Sequence, residues 1–183
     1  MRTEYEAHQG DFTYRAHLEA QKQIYPKLFN TVQIIYEDTT LKTGLRGEIL
    51  DGEMGVDVIV KPQNPSLDSN LSFYIQERFR RPSYSTFRDI TFTAFNHASG
   101  EPSELYKIAA DYMVYGFFDE ERTSFSDVVA VDVARLKLNL QHNRISKTIQ
   151  TNRKNQSFMC FTLADLEKAR CLMCRFDSQN CAN

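Results

Sequence analysis

The chain has 183 residues, enough for one domain with a real hydrophobic core and short for two. Its 42% hydrophobic and 25% charged residues are ordinary for a folded domain, with 13 Phe and 9 Tyr against no Trp. A formal net charge of −2 excludes bulk electrostatics as a case for a polyanionic partner, so any such contact has to come from local clusters.

No stretch reaches the ~18 apolar residues of a membrane span. The opening MRTEYEAHQGDF is acidic and polar, unlike a signal peptide. With all four Cys after residue 159, the expectation is a cytoplasmic protein with free thiols.

Residues 1–10 read as a loose arm. Asp11 is placed to cap a helix over 12–25, whose Phe12, Ala16, Leu18, Ile24 and Tyr25 follow helical spacing only in part, and Pro26 bends or restarts it. Residues 32–36 are β-branched and read as a short strand. Residues 37–54 carry Gly44, Gly47 and Gly52 among many charges and read as a long loop. Strands follow at 56–61, 71–80 and 88–95. The short connections between them predict an antiparallel meander. Residues 96–103 form a loop and 103–107 a helical turn.

Residues 110–118 (ADYMVYGFF) read as a strand. Residues 128–141 read as a strand entering a helix, 142–156 are polar and basic, and 157–161 are a short strand. Thr162 caps a helix through 172, with Asp165 at the positive helix end. Residues 171–183 read as a loose tail. The whole predicts a single α+β (mixed α/β) domain over 1–183, one central mixed sheet with flanking helices.

Alternate residues of a strand share a face. Tyr74, Gln76, Arg78 and Arg80 fall on one face of 73–80. Phe73, Ile75, Glu77 and Phe79 fall on the other, which makes Glu77 an acid among core residues. Asp57, at the start of the preceding strand, reaches the Gln76 and Arg78 side in an antiparallel pairing.

A helix with Glu19, then Gly55-Val56-Asp57 at a strand start, then Gln76-x-Arg78 on the next strand, resembles the core of the PD-(D/E)XK nuclease superfamily, over about residues 12–81. The resemblance implies a restriction-endonuclease-like core and a Mg²⁺- (or Mn²⁺-) dependent endonuclease acting on DNA. Asp57 matches the motif Asp, Gln76 the Glu/Gln position, Arg78 the Lys, and Glu19 an acid often found in the first helix. Asp57, the Gln76 side-chain carbonyl or the backbone carbonyl of Glu77, and Glu19 through water would be the metal's oxygen ligands. The metal would polarise the phosphate and acidify a water, with Arg78 stabilising the charge that builds there. Arginine stays protonated, so Arg78 clamps a phosphate but cannot act as a base. Arg78, Arg80, Arg81 and Arg88 would flank the phosphates, and Tyr84 and Phe87 are interleaved with them. One site makes one break, so cutting both strands points to a homodimer.

Other readings stay open. The site is that of an inactive relative that binds without cutting, or Asp57 caps a turn while Gln76 and Arg78 lie on a solvated face. The chain is then a non-catalytic nucleic-acid or protein binding module. Asp89, Glu104 and Asp111 lie on or near the following strands, and His97 lies in a loop that could touch substrate. Cys171-Leu-Met-Cys174 is a single CxxC, placed on a helix end, with Cys160 before it and Cys181 after. Zinc, a redox pair and buried inert thiols are the three readings, the last favoured. Arg135, Lys137, Arg144, Lys147, Arg153 and Lys154 make a second basic zone.

Overall fold

A computed structural model describes residues 4–29, 34–38, 54–62, 71–87, 89–96, 100–102, 104–151 and 156–177. Helix α1 spans Glu4–Gln23 and the single turn α2 spans Tyr25–Leu28, restarted by Pro26. The helix therefore takes in most of the segment read as an arm. Phe12, Ala16, Ala20 and Ile24, at helical spacing, are buried along one stripe of it.

That stripe covers one face of a six-stranded sheet in the order β1-β2-β3-β6-β7-β10. Its strands are β1 (Ile34–Asp38), β2 (Val58–Pro62), β3 (Phe73–Arg80), β6 (Tyr112–Asp119), β7 (Ser124–Asp132) and β10 (Leu172–Asp177). β3 and β6 pair in parallel, and the other neighbours are antiparallel. The run 113–118 is buried on both sides. Val114 and Phe118 face α1, while Met113, Tyr115 and Phe117 face the opposite way.

The α+β class holds, but the strands build two sheets rather than one. Between β3 and β6 lie a 3₁₀ stretch (Pro82–Phe87), β4 (Asp89–Asn96), the two-residue β5 (Glu101–Pro102) and a helical turn, α3 (Glu104–Lys107). β4 does not continue the meander. It pairs with β5 and with β9 (Gln156–Thr162), and β9 pairs with β8 (Thr148–Thr151). Short connections suggested adjacency, yet Ile90 and Phe92 gain more by facing the six-stranded sheet across a shared core. There they meet Ile59, Met113, Tyr115, Val129 and Val131, and from their own sheet Met159 and Phe161.

Helix α4 (Val133–Gln141) and the short α5 (Leu163–Lys168) close that core with Val133, Leu136, Leu140, Leu163 and Leu166. Asp132 caps α4 by accepting from the Arg135 amide at 2.8 Å, and Thr162 caps α5 by accepting from the Asp165 amide at 3.1 Å. α5 stops four residues short of the sequence expectation. Arg170 takes a left-handed φ of 56° and the chain turns into β10, so residues 172–177 are a sheet strand and not a tail.

Candidate functional site

β3 pairs with β2 through Val58–Ile75 and Ile59–Tyr74, and the Asp57 amide donates to the Ile75 carbonyl at 2.9 Å. Asp57 therefore enters opposite Gln76, one step beyond the last paired residue. The Gln76 side-chain amide donates to Asp57 Oδ2 at 2.7 Å, and the Glu77 backbone amide donates to the same oxygen at 2.6 Å. Two donors thus fix one carboxylate oxygen in place.

Gly55 makes room for this pair. Its φ is +58°, and a Cβ there would stand 2.9 Å from Gln76 Oε1 and 3.1 Å from Ile108 Cγ1. The Gly55-Val56-Asp57 sequence is thus a turn that only glycine enters easily, followed by a carboxylate set against an amide.

Arg78 lies on the Gln76 face, two residues on. It donates to the Thr91 carbonyl at 2.7 Å and to Glu104 Oε1, and Glu104 Oε2 accepts from the Thr93 amide at 3.0 Å. Arg78 and Glu104 so tie the two sheets together. Arg80 donates to the Thr91 hydroxyl and lies 5.8 and 5.7 Å from the ring centres of Tyr84 and Tyr115. Arg81 pairs with Glu120 at 3.4 Å and covers Phe12, 4.5 Å from its ring centre. Three of the four arginines assigned to phosphates are thus engaged within the fold, and Arg88 lies outside the described residues.

Glu77 points through the sheet to the α1 side. Its Oε2 is 2.6 Å from His17 Nδ1, with both side chains 7% exposed, and the Tyr25 hydroxyl donates to its Oε1. The Gln21 amide nitrogen stands 2.8 Å from His17 Nε2, so the ring proton belongs on Nδ1, facing Glu77. The acid on the apolar face has a buried partner set. His17 was legible only as a helix position beside Ala20 and Ile24 at i+3 and i+7; nothing local joins it to residue 77.

Glu19 does not reach Asp57. Its carboxylate accepts from Lys22 at 2.7 Å and from Gln23 at 2.8 Å, and Gln23 also donates to the Thr123 carbonyl at the β6–β7 turn. The Lys22 hydrogen bond holds the Glu19 carboxyl below the usual carboxylate range. Two residues along a helix turn a side chain about 200°, so a helix that aims His17 at Glu77 aims Glu19 elsewhere. Asp111 clips β3 to β6 by accepting from the Tyr74 amide at 2.8 Å, and burial raises the Asp89 carboxyl against the opposing pull of Arg80. His97 lies outside the described residues.

Among the described residues, no three His, Cys, Asp or Glu side chains gather as a metal-binding group. Cys160 is buried between Met159 and Phe161 on β9, Cys171 is buried in the inter-sheet core, Cys174 packs on the α1 side, and burial pushes the Cys174 thiol up to about 11. The CxxC sits at a strand start, where a bulge between Leu172 and Cys174 separates the two thiols onto opposite faces. Cys181 lies outside the described residues.

No protein-family model matches the chain, and no curated protein matches it. Among solved structures, a nuclease from a fusselovirus is similar at 9% identity over 93% of this chain and 94% of that one, with a TM-score of 0.34. A likeness at that score carries no argument about fold or function. No described helix is long and apolar enough to cross a membrane.

Proposed function

We propose that the chain is a metal-dependent endonuclease hydrolysing DNA phosphodiester bonds, with Asp57 and Gln76 as the protein's metal-side groups and Arg78 beside them. One observation carries this reading: the Asp57 carboxylate and the Gln76 amide meet at 2.7 Å on the sheet face that also bears Arg78. Their donor chemistry fits a hard divalent cation that keeps several waters. Gln76 sits in the space left by the missing Cβ of Gly55, and a half-turn of its amide places Oε1 beside Asp57. A bound Mg²⁺ or Mn²⁺ would polarise the phosphate and acidify a water. The chain's own part is to hold the Asp57 carboxylate in place through the Glu77 amide and to offer Arg78 to the phosphate. Glu19 has no part in this arrangement.

A second reading has its own observations. Arg78 is already neutralised by Glu104, and the described residues hold no three-ligand metal group. Those favour a module that binds without cutting. Plasmid DNA incubated with Mg²⁺ or Mn²⁺ decides between them. The wild type is expected to nick it, Asp57→Ala to fall to background, and Gln76→Glu, which adds a carboxylate, to retain cutting. Cleavage absent from wild type, Gln76→Glu and Asp57→Ala alike would sink the enzyme reading.

A further inference from the structure

Arg78, Arg80 and Arg81 are engaged within the fold, so a nucleic acid needs another cationic surface. Between Asp132 and Asp165 the sequence has no Asp or Glu but six Arg and Lys. This is the longest imbalance of charge in a chain whose net charge is −2.

The structure divides these cations. Arg135 lies 3.7 Å from Asp132 and donates to the Arg170 carbonyl. Lys137 donates to the Ile108 carbonyl at 2.5 Å, and burial lowers its pKa. Arg144 and Lys147 are different. Both are exposed, and neither side chain makes an ion pair or hydrogen bond among the described residues. They stand on the connection that leads from α4 into β8.

β8 is an edge strand whose four residues Thr148, Ile149, Gln150 and Thr151 are all exposed, with Ile149 55% exposed. A β-strand with polar side chains on both faces and cations at its root has no core to serve. Arg153 and Lys154 follow β8 in sequence and lie outside the described residues.

Register joins this edge to the candidate site. Thr148 pairs with Cys160 on β9, Cys160 pairs with Thr91 on β4, and the Thr91 carbonyl accepts from Arg78. Two strand spacings therefore separate Thr148 from the residue Arg78 touches, about 10 Å. That is roughly three nucleotide steps at ~3.4 Å per strand.

We infer that the β8 edge, with Arg144 and Lys147 at its root, is the surface that holds a DNA duplex against this chain. Arg144 and Lys147 take phosphates. Thr148 and Gln150 offer hydrogen bonds, and Ile149 an apolar contact, to whatever groove the strand enters. The inference rests on the proposed function only for the choice of DNA as the polyanion, and it requires no cutting.

The test is equilibrium binding of a short labelled random-sequence DNA duplex without divalent metal, so that cleavage plays no part. The wild type, Arg144→Gln/Lys147→Gln and a same-charge control, Lys27→Gln/Lys168→Gln, are titrated between about 50 and 200 mM salt. The site variant is expected to bind at least about ten-fold more weakly at ~0.1 M salt, with a salt slope smaller by about two. The control is expected to match the wild type. Both pairs are surface residues, and far-UV circular dichroism checks that each variant is folded.

Equal affinity and slope in wild type and site variant, an equal loss in the control, or no duplex binding by the wild type would each overturn the inference. Cleavage by the wild type with binding unchanged in the site variant removes this surface and leaves the nuclease reading standing. Binding that depends on Arg144 and Lys147 with no cleavage does the reverse.

Discussion

Asp57 owes its place to a neighbour with no side chain. Gly55 adopts a left-handed φ of +58°, and the volume a Cβ would take is filled by Gln76 Oε1. A methyl group there meets a backbone penalty and a steric one together. Gly55→Ala is expected to cost about 1–3 kcal/mol in a urea titration. If the proposed function holds, it also cuts plasmid nicking further than the lost stability explains, because Gln76 must move from Asp57. A variant with wild-type stability and wild-type nicking would show that the close approach is inconsequential. At this scale the sequence was informative in part. Strand alternation put Gln76 and Arg78 on one face and Glu77 on the other, as the hydrogen bonds have it. It gave no sign that Arg78 is paired with Glu104, because residues 26 apart meet only through the path of β4 and α3.

At the scale of elements, α1 and α2 are fastened to β3 by polar groups inside an apolar interface. Glu77, His17 and Tyr25 gather where Ile75, Val114 and Phe118 would otherwise favour another hydrocarbon. Removing the shared acceptor leaves buried donors behind, so Glu77→Ala is expected to destabilise by about 3 kcal/mol. The urea midpoint should fall with an unchanged m-value. A change within ~0.5 kcal/mol would mean that the network contributes nothing net. The same strand carries the Glu77 amide that donates to Asp57, so the helix layer and the candidate site share one residue's backbone. Element boundaries followed local chemistry at the Thr162 cap, whereas Asp11, read as a cap, lies inside α1. They departed from expectation at Arg170, where a left-handed turn ended α5 without a glycine to announce it.

At the scale of the whole molecule, the described residues form three layers, with α1 and α2 on one face of the six-stranded sheet and the four-stranded sheet with α3 to α5 on the other. The inter-sheet core draws Ile90, Phe92, Met159 and Phe161 from one sheet and Met113, Tyr115, Val129 and Val131 from the other. Neither face survives without its partner, so the sheets should unfold together. Far-UV and near-UV circular dichroism are expected to report one coincident transition. Glu104→Ala removes a partner of Arg78 and of the Thr93 amide across the two sheets, and should lower the midpoint by about 2 kcal/mol. Two separated transitions would mean that the layers are independent.

The sequence by itself determined the α+β class, most strands, the Thr162 helix cap and the two faces of β3, because these follow from the alternation of apolar residues and the chemistry of neighbours a few positions away. Only the tertiary structure decided that β4 leaves the meander for a second sheet, that His17 rather than Glu19 faces β3, and that Arg78, Arg80 and Arg81 are held internally while Arg144 and Lys147 have no such partner among the described residues. Each of those outcomes turns on groups far apart in the chain competing for the same buried surface or the same charge. Local patterning does not encode that competition; packing resolves it.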